Sequence, residues 1–336
     1  MGLNVAVVGF GLVGKTMVRV LKERRFPVDK LKILARSTRD EELDGETYHV
    51  KQISEEEFEG VDLALFAGSE GVGGASATYA PVAVENGAVV IDNSSTFRME
   101  PDVPLVVPEV NFEAIPKGCQ LIANPNCSTI QMVVALAPLR RFGIKRVVVS
   151  TYQSVSGWGT KAMEQLTEQT RAILAGEQPQ VDSAVFPHQI AFNVLPHIDV
   201  MLDDGSCKEE WKMVHETRKI FGEENLPISA TTVRVPVYVG HAEAVNVELE
   251  QPLSAAQARE VLAQAEGVEV IDDPQAARYP LCIEAAGSDL VYVGRIREDP
   301  SVEHGLNMWV VADNLRKGAA TNAIQIAERM LQAGYL

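Results

Sequence analysis

Short apolar runs alternate with helical segments along the first third of the chain. Leu3–Val8 predicts a buried strand, and an amphipathic stretch after the next turn predicts a helix that ends near Arg25. Further short apolar runs predict four more buried strands: Leu31–Ala35, Val61–Phe66, Ala88–Ile91 and Leu105–Val107. Strands that alternate with helices are typical of a parallel sheet covered on both faces. We therefore expect an α/β domain at the N-terminus.

The middle of the chain has the apolar–polar alternation of half-exposed strands. The predicted strands are Arg146–Gln153, Thr231–Val239, Glu243–Glu250, Leu290–Arg297 and Leu306–Val311, with helices near Lys161–Ala175 and Cys207–Phe221. This pattern indicates an antiparallel or mixed sheet in an α+β domain. The helical periodicity of Asn314–Leu331 predicts a last helix that returns to the first domain. We expect residues 1–126 with 313–336 to form one domain and 127–312 the other.

Composition and charge exclude several classes of protein. The chain has 336 residues, of which 46% are hydrophobic, and a net charge of −16 without a basic stripe. Its field repels nucleic-acid phosphates, so a nucleic-acid partner is not expected. We find neither a membrane-length apolar run nor the basic start of a signal peptide, and we expect a cytoplasmic protein. The four cysteines are widely spaced, so no metal site is expected.

A glycine turn follows the first predicted strand directly. Gly9, Gly11 and Gly14, with Leu12 and Val13 between them, lead into the first helix. In this context the pattern favours binding of a dinucleotide pyrophosphate at the helix N-terminus, although a purely structural turn is the alternative.

The residues after the second strand bear on which dinucleotide binds. Arg36 and Ser37 lie where NAD-selective sites usually have Asp or Glu. Arginine suits a 2′-phosphate, so NADP is favoured over NAD. The alternative is that Arg36 and the nearby Arg39 are solvated loop residues.

A thiol stands at the predicted start of another helix. Asn124-Pro125-Asn126 forms a turn that opens an apolar helix at Cys127. Helix N–H groups there favour a thiolate and hold an oxyanion, which suits a nucleophile, whereas a free cysteine is more often a small buried hydrophobe. Of the six histidines, His241 lies at a turn between strands and is one candidate for the base that such a thiol needs.

Three cations stand out in an acidic chain. Arg98 follows a hydroxyl-rich turn that suits phosphate, and Arg234 lies among β-branched residues where its charge needs a partner. Lys212 and Glu209 are three residues apart on one helix and can point into the same space. Glu209 also fits a capping box with Ser206 as N-cap, which is the structural alternative.

The sequence resembles the bacterial aspartate-semialdehyde dehydrogenase family over essentially its whole length. The resemblance rests on VIDNSSTFRM (90–99), DVPLVVPEVN (102–111), IANPNCSTIQM (122–132), VSTYQSVSG (149–157), FNVLPHID (192–199), VRVPVYVGHAEAVNVE (233–248) and DNLRKGAATNAIQIAE (313–328). It implies a Rossmann-type NADP domain, an α+β catalytic and dimerisation domain, and a homodimer or dimer of dimers. The implied reaction is the NADPH-dependent reduction of L-4-aspartyl phosphate to L-aspartate 4-semialdehyde and phosphate. This reaction feeds diaminopimelate, lysine, methionine, threonine and isoleucine synthesis.

The resemblance also implies a role for each matched residue. Cys127 is the acyl-thioester nucleophile and His241 the acid/base. Phosphate is bound by Arg98 and Lys212, and substrate by Gln153, Glu209, Arg234 and Asn126. Cofactor is bound by Gly9, Gly11, Leu12, Val13, Gly14, Arg36, Ser37, Ser156, Gly157 and Asn314.

Three features depart from the family pattern, and three rival functions stay open. The turn GFGLVG is one residue shorter than usual, the stretch AGSEGVGGASATYAP after Phe66 is richer in glycine than the usual SAG-x-x-x-S pattern, and Trp158 replaces a small residue beside the implied nicotinamide site. The rivals are a reductase of N-acetyl-glutamyl phosphate, a non-catalytic paralogue and a cysteine hydrolase. Glu209 with Arg234 favours a substrate with a free amine, and the glycine turn has no role in a hydrolase.

Overall fold

The computed structural model describes residues 2–68 and 74–336, and the chain forms two compact units. One unit is Met1–Asn126 with Ala319–Leu336, and the other is Cys127–Gly318. The sequence analysis placed the return to the first domain at residue 313, whereas residues 313–318 group with the second unit. The reason is local: the side-chain oxygen of Asn314 accepts hydrogen bonds from the Gly240 N–H at 2.9 Å and the Ser154 hydroxyl at 3.0 Å.

The first unit is a seven-stranded sheet with helices. Its elements are β1 (Leu3–Val8), α1 (Leu12–Glu23), β2 (Val28–Ala35), β3 (Arg39–Leu43), β4 (Glu46–Gln52), β5 (Leu63–Phe66), α2 (Ala75–Glu85), β6 (Val89–Asp92), α3 (Pro108–Asn111) and β7 (Leu121–Ala123). The strand order is β3-β4-β2-β1-β5-β6-β7. All neighbours pair in parallel except β3 with β4. The predicted doubly wound α/β fold is confirmed.

Two edges of this sheet differ from the sequence-based expectation. Leu105–Val107 is not a strand; Leu105 forms only an isolated bridge to Ala123, and the edge strand is β7. The hairpin of β3 and β4 was not predicted, because β3 is almost entirely charged and has no β-branched residue, so β4 has no recognisable partner strand in the sequence. The sequence feature that could have revealed the hairpin is the dipeptide Asp44-Gly45. Both residues have positive φ in the structure, as a two-residue hairpin turn requires.

The second unit is a six-stranded mixed sheet with helices. Its elements are α4 (Cys127–Leu136), β8 (Ile144–Gln153), α5 (Thr160–Leu174), α6 (Lys208–Phe221), β9 (Ile228–Arg234), β10 (His241–Leu249), α7 (Ala255–Ala263), β11 (Val268–Val270), α8 (Cys282–Ala285), β12 (Val291–Asp299) and β13 (Gly305–Ala312). The strand order is β11-β12-β13-β10-β8-β9, with parallel pairing in β11/β12 and β8/β9. The α+β prediction is confirmed. Helix α4 packs on β10 and β13, and α6 packs on β9.

The last helix, α9 (Thr321–Gln332), belongs to the first unit. A π-helical turn over Arg316–Ala320 precedes it, so the helix starts later than the predicted Asn314. Its apolar side chains, Ala323, Ile324, Ala327 and Met330, are fully buried in the core that also contains Val5 and Met17. The predicted return of the C-terminal helix is therefore confirmed. No described helix is both long and apolar enough to cross a membrane.

Candidate active site

Cys127 is the first residue of α4, as the sequence predicted. The thiol is half-buried, and the buried Asn126 precedes it in the chain. A Cβ placed on Gly318 would lie only 2.9 Å from the Cys127 Cβ. Glycine at 318 therefore lets the backbone approach the thiol side chain closely. The first helical turn supplies N–H groups and the positive end of the helix dipole to this side chain.

His241, the first residue of β10, is completely buried. The backbone N–H of Ser154 donates a hydrogen bond to its Nδ1 at 3.0 Å. A backbone N–H cannot act as acceptor, so Nδ1 must accept and the neutral ring carries its proton on Nε2. Burial first, and the charge of Arg234 second, lower the pKa of His241 to about 3. The imidazole is thus neutral at pH 7, with Nε2–H as a donor.

Gly157 separates His241 from the guanidinium of Arg234. Arg234 is buried at the end of β9, and its Nη1 donates to the Ser154 carbonyl at 2.6 Å. A Cβ on Gly157 would lie 3.0 Å from Arg234 Nη1 and 3.3 Å from His241 Nε2. Glycine at 157 therefore leaves room for both side chains. Burial lowers the pKa of Arg234, and the charges of Glu209 and Cys127 raise it, which places both groups near the guanidinium.

A buried polar chain links Gln153 on β8 to α6. Gln153 Nε2 donates to Glu209 Oε1 at 2.9 Å, and the Lys212 ammonium lies 3.3 Å from Glu209 Oε2. Asp199 also pairs with Lys212, at 2.8 Å. The capping alternative for Glu209 is wrong, because the N-cap is Cys207, whose N–H is bonded by Glu210 at 2.8 Å. Glu209 therefore does not cap the helix. Its side chain is buried, with the residue only 4% exposed, and its charge acts on both Arg234 and His241.

Asn314 organises the serines beside His241. Its Oδ1 accepts from Ser154 Oγ and from the Gly240 N–H, and its Nδ2 donates to Ser156 Oγ at 3.0 Å. All three side chains are buried. Asn314 thus fixes the loop that presents Ser156 and Gly157, and it fixes the residue that precedes His241.

The first unit contains a separate cavity at the carboxyl ends of β1 and β2. Its volume is about 420 Å³, and Gly9, Gly11, Arg36 and Arg39 are among its lining residues. Gly9 has a φ of +96°, and a Cβ on Gly14 would collide with the Gly9 carbonyl, so both positions require glycine. Leu12 and Val13 open α1 beside the cavity, and Arg36 and Ser37 are exposed at the end of β2. This cradle, with its uncrowded backbone and an exposed guanidinium, fits a dinucleotide.

Arg98 also belongs to the first unit. It is buried, and its guanidinium donates to the carbonyls of Asn124 at 2.9 Å and Asn93 at 2.7 Å. These bonds fix its orientation next to the turn that leads to Cys127.

Comparison with known proteins now identifies the family. Residues 4–118 match the NAD binding domain of semialdehyde dehydrogenases, and residues 136–317 match their dimerisation domain. The chain is 56% identical to aspartate-semialdehyde dehydrogenase of Aquifex aeolicus, with 100% of both chains covered. The Legionella pneumophila enzyme is 52% identical, covering 99% of this chain and 97% of its own. A crystal structure of aspartate semialdehyde dehydrogenase II from Vibrio cholerae, complexed with ASA, matches with a TM-score of 0.93 at 48% identity over 99% of each chain.

The chain belongs to the aspartate-semialdehyde dehydrogenase family.

Within this aspartate-semialdehyde dehydrogenase family member, the predicted site residues divide between the two units. The second unit brings together His241, Arg234, Glu209, Gln153, Lys212, Ser156, Gly157 and Asn314, with the charge of Cys127 acting on Arg234. The first unit holds the glycine cradle with Arg36, and also Arg98 and Asn126. In residues 2–68 and 74–336 no group of three His, Cys, Asp or Glu side chains is placed to hold a metal ion.

Sequence reasoning missed four polar residues of this site, three of which are buried. Asp199 ends the matched stretch FNVLPHID and pairs with Lys212, and Ser154 bonds to His241. Gln131, four residues after Cys127 on α4, donates to the His241 carbonyl at 3.3 Å. Glu243 is fully buried close to Gln131, and burial raises the pKa of its carboxyl group well above the usual value. Glu243 could have been predicted from the sequence, because side chains alternate along a strand and residues 241 and 243 therefore lie on the same face of β10.

Proposed function

We propose that this protein catalyses the NADPH-dependent reduction of L-4-aspartyl phosphate to L-aspartate 4-semialdehyde and phosphate, through a thioester on Cys127. The observation that carries the proposal is the buried grouping of Arg234, Glu209 and Gln153, in which Arg234 is also within reach of the charge of Cys127 at the start of α4. Full-length similarity to aspartate-semialdehyde dehydrogenases supports the substrate. The reaction would serve amino-acid biosynthesis, including that of diaminopimelate, lysine, methionine, threonine and isoleucine.

Charge complementarity favours a free amino acid as the acyl group. Arg234 is a buried cation that can meet the α-carboxylate, and Glu209 is a buried carboxylate that can meet the α-ammonium group. Gln153 is held by Glu209 and by the Thr151 hydroxyl at 3.0 Å, so it is oriented before substrate arrives. An N-acetylated substrate has no charge for Glu209, which disfavours the rival reductase. Asn126, adjacent to the nucleophile, completes the proposed substrate-binding set.

The thiol performs the covalent step. The Cys127 sulfur attacks the acyl carbon, the C–O bond to phosphate breaks, and the first N–H groups of α4 stabilise the intermediate oxyanion. The sulfur reacts as the thiolate, which the N-terminus of α4 favours and whose proton has already passed to water, and His241, with its proton on Nε2, is proposed to donate a hydrogen bond to the oxyanion. Arg98 and Lys212 are proposed to bind the departing phosphate, with Asp199 and Glu209 holding Lys212 in place.

In the second half of the proposed reaction the thioester is reduced. Bound NADPH supplies the hydride for this step. Gly157 and Ser156, fixed by Asn314, are proposed to position the nicotinamide, and Gly9, Gly11, Leu12, Val13 and Gly14 to hold the pyrophosphate. The resulting thiohemiacetal oxyanion expels the Cys127 thiolate and releases the aldehyde. NADP rather than NAD is proposed because Arg36 and Arg39 line the cavity at the end of β2, where NAD-selective sites usually have Asp or Glu.

We further propose a homodimer, or a dimer of dimers, in the cytoplasm. On the face of β8 opposite Gln153, Tyr152 is 40% exposed and packs against Trp309 with ring centres 5.3 Å apart. An exposed tyrosine that packs on a half-buried tryptophan suits an interface between copies, and this region matches a dimerisation domain.

The reverse reaction tests the proposed activity. The assay supplies aspartate semialdehyde, inorganic phosphate, and NADP⁺ or NAD⁺, and follows the absorbance of the reduced cofactor. Phosphate-dependent formation of NADPH is expected, faster than that of NADH. A protein that binds NADPH yet shows no turnover with either cofactor would contradict the proposal and favour a paralogue or another acid.

A further inference from the structure

Three charged side chains form a cluster beside the cavity of the first unit. Glu41 Oε1 accepts from Arg39 Nε at 2.5 Å, and Glu41 Oε2 lies 2.8 Å from the Lys15 ammonium. Arg39 itself lines the cavity, and its Nη1 donates to the Ser37 carbonyl at 3.1 Å. Lys15, Arg39 and Glu41 are called the Glu41 cluster below.

Two elements place this cluster at the cavity. Lys15 follows Gly14 in α1, and its ammonium lies 5.5 Å from the ring centre of Phe10, a lining residue. Arg39 and Glu41 alternate along β3 and so lie on one face of the strand. The side chains are 23–38% exposed, so their charges are only partly screened by water.

Glu41 is the ionised carboxylate of the cluster at neutral pH. Burial raises the pKa of Glu41, and the hydrogen bonds from Lys15 and Arg39 outweigh burial and lower it below the usual value. With Arg36, the cavity end therefore has three cations and one carboxylate, a net charge of about +2. A 2′-phosphate carries about −1.5 to −2 by analogy with other phosphomonoesters, whereas a 2′-hydroxyl is neutral.

We infer that Glu41 sets the selectivity of this site between NADP and NAD, by holding Lys15 and Arg39 in ion pairs and so reducing the positive field at the 2′ position. Discrimination by a cationic pocket depends on its net charge, and Glu41 is the acid that offsets it. The glycine cradle would hold the pyrophosphate, which both cofactors share, and so would not discriminate between them. The inference rests on the proposed binding of a nicotinamide dinucleotide.

The test is Glu41→Gln, with Glu42→Gln as the matched control. Both substitutions replace a glutamate by glutamine and make the same change in charge. Glu42 neighbours Glu41 but lies on the opposite, exposed face of β3. Binding of NADPH and NADH is titrated by nicotinamide fluorescence, and binding of 2′,5′-ADP and 5′-AMP by calorimetry. We expect Glu41→Gln to lower the Kd of NADPH and 2′,5′-ADP by about 3- to 10-fold, the size expected for one partly screened charge. NADH and 5′-AMP should bind within about 2-fold of the unsubstituted protein.

Arg39→Met provides the opposite perturbation. It removes a cation from the cavity lining and leaves Glu41 with one partner instead of two. The Kd of NADPH should rise by about 10-fold or more, with little change for NADH.

The outcomes separate this inference from the proposed function. If Glu41→Gln changes the NADPH/NADH ratio no more than Glu42→Gln does, or changes both affinities equally, Glu41 does not set selectivity. That result, together with normal turnover, would leave the proposed function intact. If the unsubstituted protein binds neither nucleotide, the proposed function and the inference are both wrong.

Discussion

Replacing His241 by asparagine should remove a pH-dependent loss of stability. The imidazole is fully buried, and burial together with Arg234 lowers its pKa to about 3. In the unfolded chain the group titrates near 6.5. As the pH falls below 6.5, the unfolded state binds a proton that the folded state refuses, so the free energy of unfolding decreases down to about pH 3. In His241→Asn, the amide oxygen can replace Nδ1 as acceptor for the Ser154 N–H.

The magnitude follows from the two pKa values. At pH 7 the titration of His241 changes the free energy of unfolding by close to zero. At pH 5, which is 1.5 pH units below the pKa of the unfolded group, about 6.5, it lowers the free energy of unfolding by about 2 kcal/mol. For a unit of this size, a change of that amount shifts the melting temperature by about 4–8 °C. Glu243 titrates in the opposite direction, because its pKa is raised, but it is present in both proteins and cancels in the comparison.

The assay is thermal melting of both proteins between pH 7 and pH 5. Unsubstituted protein should lose about 4–8 °C more than His241→Asn over this range. The matched control is His188→Asn, which removes an exposed imidazole of the same unit and should melt in parallel with unsubstituted protein. Parallel curves for His241→Asn would refute the claim that the ring is buried in its neutral form.

Four further substitutions, each of a single residue, give testable outcomes. Gly157→Ala should lower kcat/KM by about 10- to 100-fold, because the new Cβ displaces Arg234 or His241, while the NADPH Kd and melting temperature change little; unchanged kcat/KM would contradict the close approach. Glu209→Gln should lower kcat/KM for aspartate semialdehyde by about 10-fold or more without loss of stability. Glu210→Gln should instead cost about 1 kcal/mol of stability through the N-cap and leave kcat/KM unchanged. Denaturant unfolding and steady-state rates distinguish the two variants. The reverse pattern would show that Glu209, not Glu210, caps the helix. Cys127→Ala should abolish turnover and keep NADPH binding, and near-normal turnover would rule out a covalent mechanism.

Local patterns were sufficient where a single element determines the position. The apolar strand and glycine turn before α1 predicted the cradle, and the Asn-Pro-Asn turn predicted Cys127 at a helix start. The edges of the first sheet were not predictable by the same means. Leu105–Val107 is apolar because it is buried, not because it is a strand, and β3 is charged because it lies at an edge.

Long-range contacts account for what the sequence did not reveal in the site. The cap of α6 shifted by one residue because the Glu210 side chain also accepts from the Thr232 N–H on β9, at 2.9 Å, a partner far away in sequence. Likewise, Ser154 becomes important only because β8 and β10 pair and bring it to His241. Asp199 lies in a loop without periodicity, and only the fold places it against Lys212.

The central claim is that the reaction passes through a thioester on Cys127. In the reverse direction, phosphate is needed to release the acyl group from that thioester. The direct measurement mixes the protein with aspartate semialdehyde and NADP⁺ without phosphate, and combines rapid-mixing absorbance with peptide mass spectrometry. The account predicts a burst of about one NADPH per active site, an aspartyl adduct on the Cys127 peptide, and renewed turnover when phosphate is added. Continuous NADPH formation without phosphate, or a burst with no adduct on Cys127, would contradict it.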